Sequence, residues 1–179
     1  MKPVCLVIGA GAGIGGTVGA KFAKEGYHAV LCRRTDTEGL GRIVEDIKSN
    51  GGSATGHLLN AVEPDSIENI VAKVETDIGP IDVAVYNLGS QVGDRSLEQT
   101  SYKTFEMGWR LATFGLYRLA SSVCPLMVKR GNGALLVTSA TASVRGNKGQ
   151  HSHAACMGGR RMLCHTLNAE FGPQGILIA

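Results

Sequence analysis

The chain has 179 residues, of which 44% are apolar and 18% charged, and a net charge of +3. That length suits one domain over residues 1–179 with a real hydrophobic core, and the composition excludes a disordered chain. So small a charge, with no basic run interleaved with aromatics, argues against a nucleic-acid binder.

Val4 to Ile8 is a short apolar run fit for a buried strand. Glycine-rich residues 9–16 follow, then a helical stretch from Thr17 to Lys24. His28 to Cys32 reads as a second buried strand, Asp36 to Ser49 as an amphipathic helix, and Ala54 to Leu59 as a third strand. Pro64 to Ile78 reads as a helix with proline in its first turn and Gly79 at its end. Ile81 to Tyr86 is the next strand; a turn over Gly93 to Gln99 leads into a long helix from Tyr102 to Val128. Ala134 to Thr138 is a strand, Ser152 to Phe171 a helix, and Gly175 to Ala179 opens a further strand. Strands alternating with helices predict an α/β fold: a Rossmann-type, doubly wound parallel sheet covered on both faces. The chain is expected to be truncated within its sixth strand, which leaves a sheet edge without cover.

The five cysteines are scattered with no CxxC pair. They read as reduced, buried thiols of a cytoplasmic protein. The apolar N-terminus breaks into glycines at Gly9, which argues against a signal peptide. No apolar stretch reads as long enough to span a bilayer.

"CLVIGAGAGIGG" fits two registers: Gly11, Gly13 and Gly16 match GxGxxG, and Gly9, Gly13 and Gly15 match GxxxGxG. Gly9 follows the strand directly, so the second register is preferred. Such glycines permit a tight turn and close backbone approach, and the following helix offers free N–H groups to a pyrophosphate. The alternative is a glycine-rich packing turn. The second strand ends in Arg33 and Arg34, with Asp36 beyond them. Two cations at a tip without a carboxylate favour a 2′-phosphate, and so NADP(H) over NAD(H), unless both are solvated surface groups.

With the loop set beside "DVAVYNLG" (Asp82 to Gly89) and "FGPQGI" (Phe171 to Ile176), the chain resembles the short-chain dehydrogenase/reductase family over essentially its whole length. The resemblance implies an NADP(H)-dependent oxidoreductase acting on a carbonyl or alcohol substrate, as a homodimer or homotetramer built on its long helices. It implies coenzyme contacts from Gly9, Gly13, Ile14 and Gly15, from Arg33 and Arg34, and from Asn60 and Ala61. Asn60 stands where the family has an Asp beside the adenine. Asn87 and Gly89 hold half of the family's NNAG.

The family's catalytic Asn, Ser, Tyr and Lys fall here on Ala112, Ala140, His153 and Met157. Flanking residues Gly146, Asn147, Gly149, Gln150 and Gly159 suit the family and fix the register. In the family the Tyr gives a proton to the carbonyl oxygen, the Lys lowers the Tyr pKa and binds the ribose, and the Ser hydrogen-bonds the substrate. Loss of one such donor costs about 2.7–4 kcal/mol of transition-state stabilisation. His153 alone retains proton chemistry, since an imidazole works as acid or base near neutrality without a helping lysine. It is therefore the candidate catalytic residue, placed at a helix start with Met157 and Arg160 along the same face. The alternatives are a satisfied polar residue in an unused cleft and a coenzyme-binding pseudoenzyme. Ser139, Thr141 or Ser143 could replace the missing hydroxyl, although strand alternation aims the neighbours of Ala140 elsewhere. His151 and His153 lack acidic or cysteine partners nearby in sequence, so no metal site is expected. Arg160 and Arg161 read as solvated, interface or phosphate-binding groups, and Trp109 as packing.

Overall fold

The computed structural model describes residues 2–89 and 96–179. Strand β1, Val4–Ile8, is buried at every position, which requires cover on both faces of the sheet. Its side chains alternate between two cores: Val4, Leu6 and Ile8 join one, Cys5 and Val7 the other. Helix α1, Ile14–Lys24, leads to β2, His28–Arg33, and helix α2, Thr37–Ser49, to β3, Ser53–Leu58. Helix α3, Ser66–Asp77, precedes β4, Ile81–Tyr86. Helix α4, Tyr102–Trp109, passes through a π-turn, Arg110–Phe114, into α5, Gly115–Arg130. Then come β5, Gly133–Val137, helix α6, His151–Phe171, and β6, Ile176–Ile178.

All strand pairs are parallel, in the order β3-β2-β1-β4-β5-β6. The sheet ends at β6, and helices cover both faces, as the alternating pattern predicts. The order reverses between β1 and β4, so their C-terminal ends frame the crevice where doubly wound sheets bind ligands.

Several boundaries differ from expectation for local reasons. Helix α1 starts at Ile14, not Thr17, because Gly13 serves as its N-cap. Pro64 lies in the turn before α3 rather than in its first turn; Asp65, at φ 56°, delays the helix to Ser66. Gly93 of the expected turn lies outside the described residues, and a turn is present at 97–99. The expectation that no apolar stretch could span a bilayer is corrected: the helix 102–130 is long and apolar enough by length and composition. Its apolar side chains Leu116, Leu119, Val123 and Met127 are fully buried in the core, which explains that character. All five cysteines are free thiols, four buried and Cys164 half-buried. Burial pushes the Cys5 and Cys32 thiols up to about 12, far from reactive thiolates.

Candidate active site

The bend after β1 is built from backbone. Gly9 takes φ +100°, and its N–H and that of Ala10 both reach the Cys32 carbonyl, at 2.9 and 2.8 Å. A Cβ on Gly15 would run into the Gly9 carbonyl oxygen and the Asn87 side chain. Around Gly13 there is open space, so the start of α1 faces an uncluttered bend. Asn87 lies across the switch point: its Nδ2 donates to the Gly9 carbonyl at 2.9 Å, and its backbone N–H to Ile8 at 2.8 Å. Ile14 is an exposed apolar residue at the bend's outer lip, and Gly89 is exposed past β4. A bend closed to a side chain at Gly15 and open in front of Gly13, at a helix start, fits a diphosphate.

The tip of β2 differs from the expectation of two cations and no carboxylate. Asp36 adopts φ 65°, which turns its side chain back: one oxygen caps α2 through the Gly39 N–H at 2.8 Å, and the other meets Arg33 Nη1 at 2.9 Å. Arg33 thus has a carboxylate partner. Arg34 points from an exposed position with no carboxylate in reach among the described residues.

After β3, Asn60 donates its side-chain amide to Glu63 at 3.0 Å. Ala61 is buried, and its carbonyl accepts from Arg118 Nη1 at 2.8 Å. Arg118 also grips Glu68 with two nitrogens, at 2.9 and 2.5 Å, and holds its carboxyl below the usual range. Thus α5 braces the loop carrying Asn60 and Ala61. The sequence reading missed Arg118, whose partners lie 50 or more residues away.

The positions set against the family's Asn, Ser and Lys come together in space, and they are apolar. Ala112, Cys156 and Met157 form a small buried cluster with Ala140 against it. His153 is half-buried in the first turn of α6, beside that cluster in sequence. Strand β5 ends at Val137, so alternation does not govern residues 138–140; Ser139 hydrogen-bonds Ser143 Oγ at 3.1 Å instead.

Arg160 overturns its sequence reading. It is 1% exposed, neither solvated nor at a surface interface. Nε donates to the Ala112 carbonyl at 2.7 Å, Nη1 to Thr138 at 2.9 Å, and Nη2 to Leu88. Its guanidinium stacks over the Tyr86 ring at 5.2 Å. Burial lowers its pKa, though a guanidinium starts so high that it stays charged. The π-turn explains two of these groups. Gly115 N–H bonds Arg110 rather than Leu111, which frees the Leu111 carbonyl. Tyr86 Oη donates to that carbonyl at 2.5 Å, and Arg160 takes the next one. Trp109 is also corrected: it is 43% exposed and stacks on Phe114 at 5.1 Å.

A parallel doubly wound sheet with a glycine-rich bend at its switch point defines a dinucleotide-binding architecture. The sequence matches the short chain dehydrogenase family over residues 3–179, and the chain belongs to that family, whose members are oxidoreductases. Among its relatives is the 3-oxoacyl-[acyl-carrier-protein] reductase FabG of Thermotoga maritima, 31% identical over 98% of this chain and 70% of that protein. A short-chain dehydrogenase from Rhodopseudomonas palustris superposes with a TM-score of 0.94 at 29% identity, covering 99% of this chain and 82% of the other. The F189W actinorhodin polyketide ketoreductase, solved with NADPH, gives 0.92 at 26% identity, covering 99% and 68%.

Proposed function

We propose that this chain is an NADP(H)-dependent oxidoreductase that moves a hydride between the nicotinamide and a carbonyl or alcohol substrate, with an atypical site centred on His153. The observation that carries it is the bend at Gly9, Gly13 and Gly15, where a Cβ at Gly15 would strike the Gly9 carbonyl. That bend and the start of α1, with Ile14 over its lip, hold the diphosphate. Arg34, backed by Arg33, meets the 2′-phosphate. Asn60 and Ala61 edge the adenine, and Asn87 and Gly89 border the path towards the nicotinamide. The coenzyme supplies the hydride. His153 exchanges the proton with the substrate oxygen, and the apolar wall of Ala112, Ala140 and Met157 keeps water from the reacting carbon.

A second reading, a coenzyme-binding pseudoenzyme, is favoured by that same wall, since three positions that carry polar groups in the family are apolar here. NADPH oxidation with a panel of carbonyl compounds separates the two. The His153→Phe variant is expected to lose at least a hundredfold in kcat with coenzyme affinity retained. Turnover that survives the change removes His153 from the mechanism. Coenzyme binding without turnover in the parent protein favours the second reading. We place the protein in the cytoplasm, as a homodimer or homotetramer, on the free thiols and the exposed aromatic face of α4 and α5.

A further inference from the structure

At the tip of β2 the chain fills a set of anion-binding donors with its own carboxylate. Arg33 Nη1 meets one oxygen of Asp36 at 2.9 Å, and the Gly39 N–H donates to the other at 2.8 Å. A guanidinium and a backbone N–H in the first turn of a helix are donors suited to phosphate. A Cβ on Gly39 would run into both Asp36 Oδ2 and Arg33 Nη1, so this latch needs glycine there. Asp36 reaches it through a left-handed backbone, φ 65°, which aspartate and asparagine accept more readily than most residues.

The latch sits between two segments that face the coenzyme. The Gly9 and Ala10 N–H groups of the bend both donate to the Cys32 carbonyl, one residue before Arg33. The Arg33 carbonyl accepts from the Leu59 N–H at 2.8 Å, one residue before Asn60. Backbone hydrogen bonds thus tie the tip of β2 to the bend on one side and to the adenine loop on the other. With the diphosphate at the bend and the adenine at Asn60 and Ala61, the ribose between them falls to Arg33. Asp36 is exposed and Arg33 half-buried, so the carboxylate is free to swing into solvent while the guanidinium stays. An ion pair with an exposed partner is weak enough to yield to a phosphate. NADPH has to break that pair; NADH, without the 2′-phosphate, does not.

We propose that Asp36 competes with the coenzyme's 2′-phosphate for Arg33, and so limits how strongly the protein prefers NADPH to NADH. Asp36 is then a positioning residue that acts through Arg33, not an acceptor for the ribose hydroxyls, since Arg33 and Gly39 hold its two oxygens. The inference rests on the coenzyme reading above.

The test is calorimetric titration with NADPH and NADH of the parent, Asp36→Asn, Arg33→Met and the double variant. Asparagine keeps an oxygen for the Gly39 N–H and accepts the left-handed backbone, so the cap of α2 survives while the charge is removed. Asp36→Asn is expected to raise NADPH affinity about fivefold and to change NADH affinity by less than about twofold. Arg33→Met is expected to lower NADPH affinity, and in that background Asp36→Asn is expected to leave the ratio of the two affinities unmoved. Circular dichroism is expected to be unchanged throughout. A folded Asp36→Asn variant with the parent's NADPH-to-NADH ratio overturns the proposal, as does a gain that persists in full without Arg33. Uptake of neither coenzyme by the parent removes the coenzyme reading and this inference together; uptake with an unmoved ratio removes the inference alone.

Discussion

Arg160 is a structural tie at the C-terminal end of the sheet. Its three hydrogen bonds end on Leu88 after β4, Thr138 after β5 and Ala112 in the π-turn, so one guanidinium ties three segments together. Each carbonyl left unpaired in a buried place costs about 1–3 kcal/mol. Arg160→Met fills much of the volume but satisfies none of them. We expect it to lower unfolding stability by about 3 kcal/mol or more, read as a reduced denaturant midpoint with an unchanged slope. Arg160→Lys should recover only part of the loss, because an ammonium lacks the planar fork. Sequence pattern could not reveal this role. A charged residue in mid-helix ordinarily faces solvent, and the acceptors that keep Arg160 inside lie 22 to 72 residues away.

At the scale of elements, the brace between α5, α3 and the loop after β3 has a pH signature. Arg118 hydrogen-bonds Glu68 and holds its carboxyl below the usual range. A depressed folded pKa means the stabilisation is complete above the ordinary carboxylate range and is lost as pH falls through the folded value. Glu68 is partly exposed, so the contribution is small. Glu68→Gln should lower stability slightly at neutral pH and converge with the parent at low pH, which flattens the acid limb of the stability profile. An acid limb identical to the parent's would remove the pair from the account. The elements themselves were largely legible: the apolar runs at Val4–Ile8 and Ile81–Tyr86 gave those strands to the residue. The ends failed where glycine or a left-handed residue decides them, as at Gly13 and Asp65. The π-turn had no signal in the sequence, since nothing in Arg110–Phe114 breaks the helical pattern.

At the scale of the whole molecule, the α4–α5 helix exposes an aromatic surface. Trp109, Phe114 and Tyr117 form a stacked ladder on the α4–α5 helix, with ring centroids 5.1 and 6.3 Å apart. Phe114→Glu places a charge in the middle of that ladder. Light scattering should give a dimer or tetramer for the parent and a monomer for this variant; an unchanged mass would move the interface elsewhere. Of the candidate site, the glycine bend was readable because backbone constraint leaves a glycine pattern. The apolar cluster of Ala112, Ala140 and Met157 was readable only against a family resemblance. Asp36 folding back on Arg33 was not readable, because it depends on a single left-handed residue. The account as a whole rests on coenzyme binding at the bend after β1, and calorimetric titration with NADPH and NADH tests it most directly. We predict saturable one-site uptake, tighter for NADPH, that is lost in folded Gly15→Ala; no heat from either coenzyme, or equal uptake by that variant, would contradict it.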